Sequence, residues 1–271
     1  MARGSAHRRM REGKPCILCG GNRLSEDTEH APPKSLFHDK QRPQGYEFPS
    51  CKRCNKGPAP LDALAAFIFM SGRTEALLKT AAFTEHQMNL ARTVARNFRP
   101  IFAKVENADI KSESGFIIAG AKLLELTPEA SKHLATWSAK QAYAYWYHHT
   151  KQILSKDAVV GIDILTKCNE DDDFANEVAR LLGPGHSMVH AKKPVDDQFF
   201  YRFVRDEVTE VSFVQAVYHK NGGFFAIIDE KNHHPEVLEK TAHRFQTSDN
   251  KGIHRIFPKE RSAVLYGPRK S

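Results

Sequence analysis

Cys16, Cys19, Cys51 and Cys54 form two Cys-x-x-Cys knuckles around the segment Glu29-His30-Ala31-Pro32-Pro33-Lys34-Ser35-Leu36-Phe37, and Asn55 directly follows the second knuckle. A two-residue gap lets both sulfurs of a knuckle reach one ion, so the four thiolates suit a single tetrahedral metal, zinc before any other. A metal whose coordination is filled by sulfur holds a fold together and does not react. It accounts for the cysteines and leaves Glu29, His30 and Asn55 over, so chemistry is expected in those three. The bland alternatives are that Glu29 and His30 are surface groups of a zinc-binding interaction module and that Asn55 caps the next helix.

These residues need elements to position them. Residues 15 to 60 hold most of the Pro and Gly of the N-terminal half and show no long apolar period, as expected of a module that folds around an ion. From Leu61 the spacing becomes helical through Leu64, Ala65, Phe67, Ile68, Leu77 and Leu78, with a break at Ser71-Gly72. A second helical run passes Met88, Leu90, Val94 and Phe98 and ends before Pro100. Thr127-Pro128 reads as an N-cap followed by proline at the first helical position, and opens a long helix through Leu134, Trp137, Ala142, Tyr145, Trp146 and Ile153. Its aromatic cluster, Tyr143 to His149, can stack nucleobases or fill a core, and helical spacing favours the core. Asp171 to Leu182 reads as a short helix stopped by Gly183-Pro184-Gly185. Phe199 to Arg205, Val211 to His219 and Phe224 to Asp229 then alternate as strands, with Asn221-Gly222-Gly223 as a turn.

The fold class expected is α+β. A basic arm (1–14) precedes a metal module (15–65). An α+β region of unassigned role follows (66–271), helical over 66–155, with antiparallel strands over 156–245 and a basic tail over 246–271. The 271 residues carry 40 Lys and Arg against 32 Asp and Glu, a formal charge of +8, and clustered positive charge is rewarded by phosphate backbones through counterion release. Lys34, Lys52, Arg53 and Lys56 flank the candidate site and can grip such a backbone; as a solvated rim they would look the same. With five cysteines, four of them in the knuckles, Cys168 is left without an evident disulfide partner. That usage, with no apolar run of membrane-spanning length and no signal-peptide core, predicts a soluble protein of the reducing cytoplasm with no membrane partner. The other histidines are expected to be surface or core groups.

In combination, Cys16-Ile17-Leu18-Cys19, then Glu29-His30-x-x-Pro33-Lys34-Ser35-Leu36-Phe37, then Phe48-Pro49-Ser50-Cys51-x-x-Cys54-Asn55 resembles the HNH endonuclease superfamily in its four-cysteine, zinc-stapled form. The resemblance spans roughly residues 14 to 65 and nothing beyond them. It implies a treble-clef-like ββα-metal module with a structural zinc on Cys16, Cys19, Cys51 and Cys54. It also implies a second ion, Mg²⁺ or another divalent metal, held by Glu29 and Asn55 with His30 as general base. Asp62 matches a further acidic position of close relatives, although an acid in the first turn of a helix is equally placed by the macrodipole. Two positions depart from the pattern: Glu29 stands where Asp is commoner, and Tyr46 where many members carry the Asn that orients the base. The implied activity is hydrolysis of phosphodiester bonds, with double-stranded DNA as the expected partner and a homodimer as one way to cut both strands. The alternative is a non-catalytic, zinc-stabilised nucleic-acid-binding module.

Overall fold

The computed structural model describes residues 12–37, 42–56, 59–71, 81–98, 100–111, 117–155, 157–166, 180–186, 189–190, 193–195, 198–219, 222–234 and 254–256. Among them the chain mixes helices with antiparallel sheet, so the α+β class holds, and a C-terminal sheet is present as expected. The N-terminal part is a short hairpin, β1 (Asp27–His30) with β2 (Glu47–Ser50), followed by α1 (Lys52–Lys56) and α2 (Ala59–Ser71). Helix α3 (Ala81–Asn97) packs on α2 and stops before Pro100, where the proline rule places its end.

The expected helical middle is interrupted. Residues Phe102–Lys111 (β3) and Ile117–Leu126 (β4) form an antiparallel pair with register shifts near Ala103 and Asp109. Val105, Ile110, Ile117 and Ile118 supply the β-branched content that favours strands, and a shifting register blurs the period of two that would announce them. Helix α4 (Pro128–Thr150) then starts as predicted: Thr127 Oγ1 accepts from the Ala130 amide at 3.2 Å, with Pro128 just inside. It ends at Thr150, three residues short of Ile153, and its cap Lys151 adopts a left-handed conformation with φ 57°.

The C-terminal sheet runs β11-β5-β10-β9-β8, all antiparallel, from β5 (Val159–Thr166), β8 (Phe199–Asp206), β9 (Val211–Tyr218), β10 (Gly222–Asp229) and β11 (His254–Ile256); β6 (Val189–His190) and β7 (Lys193–Pro194) make a separate small pair. Strands β8, β9 and β10 match the alternation read in sequence. Strand β5 falls among the antiparallel strands expected over 156–245 and lies beside β10. One reading is corrected: the tail expected to be irregular contributes β11 at the sheet edge. Most of the helix expected at 171–182, and the arm over 1–11, lie outside the described residues.

One face of the sheet receives α4. Phe199, Tyr201, Tyr218, Phe224, Val160 and Ile162 pack there with Leu134, Trp137, Ala142 and Tyr145, all buried. The opposite face carries a smaller cluster of Val159, Leu182, Val211, Phe225 and Ile227. The aromatic run on α4 is therefore core: Tyr143, Tyr145 and Trp146 are buried. Cys16, Ile17, Leu18, Leu36, Phe37 and Phe48 belong to that same cluster, so the core passes straight through the boundary expected near residue 65.

Gly223 sits inside β10, not in a turn, because a Cβ there would lie 1.8 Å from the carbonyl oxygen of Ala216 on β9. Gly223→Ala is expected to lower stability by roughly 3 kcal/mol or more through forced separation of the two central strands. Thermal unfolding of the purified variant checks this; an unchanged midpoint contradicts it.

Candidate functional site

Cys16 and Cys19 flank a single helical turn (Ile17–Cys19) whose exit needs Gly20 and Gly21, both at positive φ, to bring the chain back toward Cys16. Gly21 N–H donates to the Cys16 carbonyl at 3.0 Å. The second knuckle leaves β2 at Cys51, and Cys54 lies on α1, whose Asn55 amide N–H donates to the Cys51 carbonyl at 3.0 Å. The four sulfurs lie within 4.8 Å of one another, and Cys16, Cys51 and Cys54 are buried. Tetrahedral Zn–S bonds of about 2.3 Å set sulfur separations of about 3.8 Å, which this spacing accommodates, so the quartet can hold a metal ion such as zinc. Hydrogen bonds from Cys16 and Cys54 bring the Cys19 thiol down to about 3, ready as a thiolate ligand.

In β1 successive side chains point to opposite faces of the hairpin, so Glu29 and His30 diverge. Glu29 is paired with Phe48 in the register and shares the face that meets α4, where Phe48 contacts Tyr147 edge-on. His30, opposite Glu47, occupies the other face and is half-buried. Glu29 is 2% exposed, and its Oε2 lies 2.8 Å from Nζ of Lys140, itself 2% exposed in the middle of α4. Asp62, in the first turn of α2 and partly buried, adds to this pair: its Oδ1 accepts from the Trp137 indole at 3.0 Å, and its charge acts on both Glu29 and Lys140.

Burial pushes Glu29 up to about 7, with the Lys140 charge opposing the rise and the Asp62 charge adding to it. Burial likewise raises Asp62, against the pull of Lys140. Burial alone would lower Lys140; the Glu29 and Asp62 charges outweigh it and hold the ammonium above its ordinary pKa. One ammonium thus serves two carboxylates in a setting that disfavours every uncompensated charge.

Asn55 does not cap a helix. It lies within α1, and its Nδ2 donates to the Thr28 carbonyl at 3.1 Å, tying the helix to β1. Tyr46 turns to the α4 side. It stacks on His148 with centroids 4.6 Å apart, and its hydroxyl is 3.4 Å from that of Tyr201. Two further histidines fix the segment after the acid-histidine pair: His86 Nε2 lies 2.9 Å from the Ser35 carbonyl and His219 Nε2 2.6 Å from the Leu36 carbonyl. Of the basic rim, Lys34 and Lys52 are exposed, Lys52 lying 3.7 Å from Glu26, while Arg53 is half-buried. The Lys56 side chain and Cys168 lie outside the described residues.

Among the described residues, the cysteine quartet is the one group of three or more metal-capable side chains brought together. Glu29, Asp62 and His30 make no such group, and Glu29 is held by Lys140. In this arrangement the residues do not fit a second, divalent ion. Sequence reading also missed Lys140, although a signal was there: it is the single charged residue in the stretch Leu134 to Trp146. No helix among the described residues is long and apolar enough to cross a membrane.

No protein-family model, curated protein or solved structure matches this chain. Its site therefore has to be read from its own chemistry.

Two outcomes follow from the geometry. Elemental analysis of the purified protein should find one zinc per chain, and Cys51→Ser or Cys54→Ser should lose it together with the protease resistance of residues 12–56; a metal-free N-terminus that stays folded refutes this. For pH, folded Glu29 keeps its proton to about 7, against 4.5 for the free side chain. Between those values the folded state binds more protons than the unfolded one, so this group's contribution to stability declines as pH rises through that window. Glu29→Gln should flatten that decline in denaturant-unfolding free energies measured from pH 4.5 to 7.5.

Proposed function

We propose that the protein is an HNH-type endonuclease that hydrolyses phosphodiester bonds in DNA, built on a zinc-stapled, treble-clef-like ββα module. What carries this reading is the order and placement of its parts. A hairpin bears Glu29 and His30 back to back, and the next helix, rooted in a metal-binding knuckle, sets Asn55 against the same strand. His30, half-buried on the face away from α4, is the base: a neutral imidazole can take a proton from an attacking water near pH 7. Lys34 and Lys52 are exposed on the same module and can contact phosphates, and the chain's +8 charge favours that partner. Because Glu29 is bound to Lys140, no step is assigned to a divalent ion in this arrangement.

A second reading has its own observation. A non-catalytic, zinc-stabilised nucleic-acid-binding module has no use for open acids, and the buried Glu29–Lys140 pair closes the acid off from solvent.

Plasmid DNA incubated at low salt with full-length, zinc-loaded protein and Mg²⁺ or Mn²⁺ separates the two. The nuclease reading expects nicked and linear products from wild type and a loss of about 100-fold or more in His30→Ala, the scale of a missing general base. Wild type that shifts DNA in a gel but never nicks it would establish the binding module instead.

A further inference from the structure

Glu29 from β1, Asp62 from α2 and Lys140 from α4 bring charge into the interior of the protein, where apolar side chains are the default. Their balance is uneven. Glu29 meets the ammonium directly at 2.8 Å, and the Asp62 carboxylate adds its charge to the same lysine. Charges buried in this way persist only when compensated, and either a lysine ammonium or a hard divalent cation with oxygen preference can compensate a carboxylate pair. The two differ in reach. Lysine carries its charge on a flexible four-carbon stem and can withdraw, whereas an ion must enter. They also compete for the same lone pairs: Glu29 Oε2, at 2.8 Å from Lys140 Nζ, is engaged. Asp62 Oδ1 accepts from the Trp137 indole at 3.0 Å, which orients that carboxylate.

We propose that Lys140 is a built-in competitor of a divalent cation: its ammonium holds Glu29 and Asp62 closed, and a divalent ion occupies these carboxylates only when Lys140 leaves them. The consequence for catalysis rests on the endonuclease reading above; the competition itself is a property of these three side chains. It makes α4, a helix distant in sequence from the acid-histidine pair, the element that decides whether the acids are available.

The test uses zinc-loaded, full-length protein and Mn²⁺ as the probe, read by the electron-spin resonance signal of free Mn²⁺ and by broadening of indole N–H signals. The chain has two tryptophans, which makes the second readout specific: Trp137 donates to Asp62, while Trp146 donates to Glu230 elsewhere. Lys140→Met is expected to bind Mn²⁺ at least about tenfold tighter than wild type, a change of about 1.4 kcal/mol. Broadening should be confined to Trp137, and the gain should vanish in Lys140→Met/Glu29→Gln. Lys140→Arg, which keeps the charge, should behave as wild type. Lys140→Gln serves as a second variant, since its amide can still donate to Glu29. The proposal fails if folded Met and Gln variants bind Mn²⁺ no tighter than wild type, or if the gain survives loss of Glu29. It also fails if neither variant folds with zinc bound, because Lys140 would then be an immovable part of the core. Nicking assays on the same proteins keep the two ideas apart. A Mn²⁺ gain with no nicking in any variant removes the nuclease reading alone, and nicking by wild type without a Mn²⁺ gain in the variants removes the competition alone.

Discussion

The buried ammonium of Lys140 is the constraint on which the arrangement of this protein turns. It ties together three segments far apart in sequence: the hairpin through Glu29, the first turn of α2 through Asp62, and the long helix α4 on which it resides. A charged group only 2% exposed is tolerated because Glu29, its partner at 2.8 Å, is equally enclosed. Any displacement of α4 from the hairpin would leave the buried Glu29 carboxylate without its cation, so helix and hairpin are held in one relation. The aromatic packing repeats the constraint without charge: Phe48 on Tyr147 and Tyr46 on His148 join the same two elements.

The metal quartet acts upstream of that lock. Within residues 12–56 the regular structure is short, a four-residue hairpin, two single helical turns and the five-residue α1, and elements of that size need a covalent or metallic anchor or a larger core to lean on. This segment has both. Four sulfurs within 4.8 Å of one another can hold a metal ion between the knuckles, and Ile17, Leu18, Leu36, Phe37 and Phe48 lean into the core formed by α4 and the sheet. His219, at the end of β9, reaches back to the Leu36 carbonyl, so even the loop after the acid-histidine pair is positioned by the C-terminal sheet. The functional consequence is that the geometry around Glu29 and His30 is set by the whole chain.

Glu29 and His30 are neighbours in sequence and belong to different environments. The strand's alternation sends Glu29 into a low-dielectric interior, where burial lifts its pKa to about 7, and leaves His30 on the opposite, partly open face. An acid and a base adjacent on one strand can therefore be governed separately, the acid by α4 and the base by the other side of the hairpin.

Local rules were enough for what is local. The sulfur quartet follows from knuckle spacing, the start of α4 from Thr127-Pro128, the end of α3 from Pro100, and β8 to β10 from alternation and β-branched content. In each case the sequence itself contains the donor, the ring or the period that causes the structure. The rest depends on partners remote in the chain. The pair β3–β4 shows through only weakly because its register shifts, and β11 exists because β5 offers it an edge. Tyr46 could be recognised as standing in an unusual place, yet its stacking on His148 requires α4 to lie against the hairpin. Above all, sequence determined which acids, histidine and thiols this protein has near its site, and tertiary structure alone decided that Lys140, remote in the chain from Glu29, is the cation this buried acid meets. Pairing of charges is a matter of distance in space and of the solvent excluded around them, and neither quantity is written along the chain.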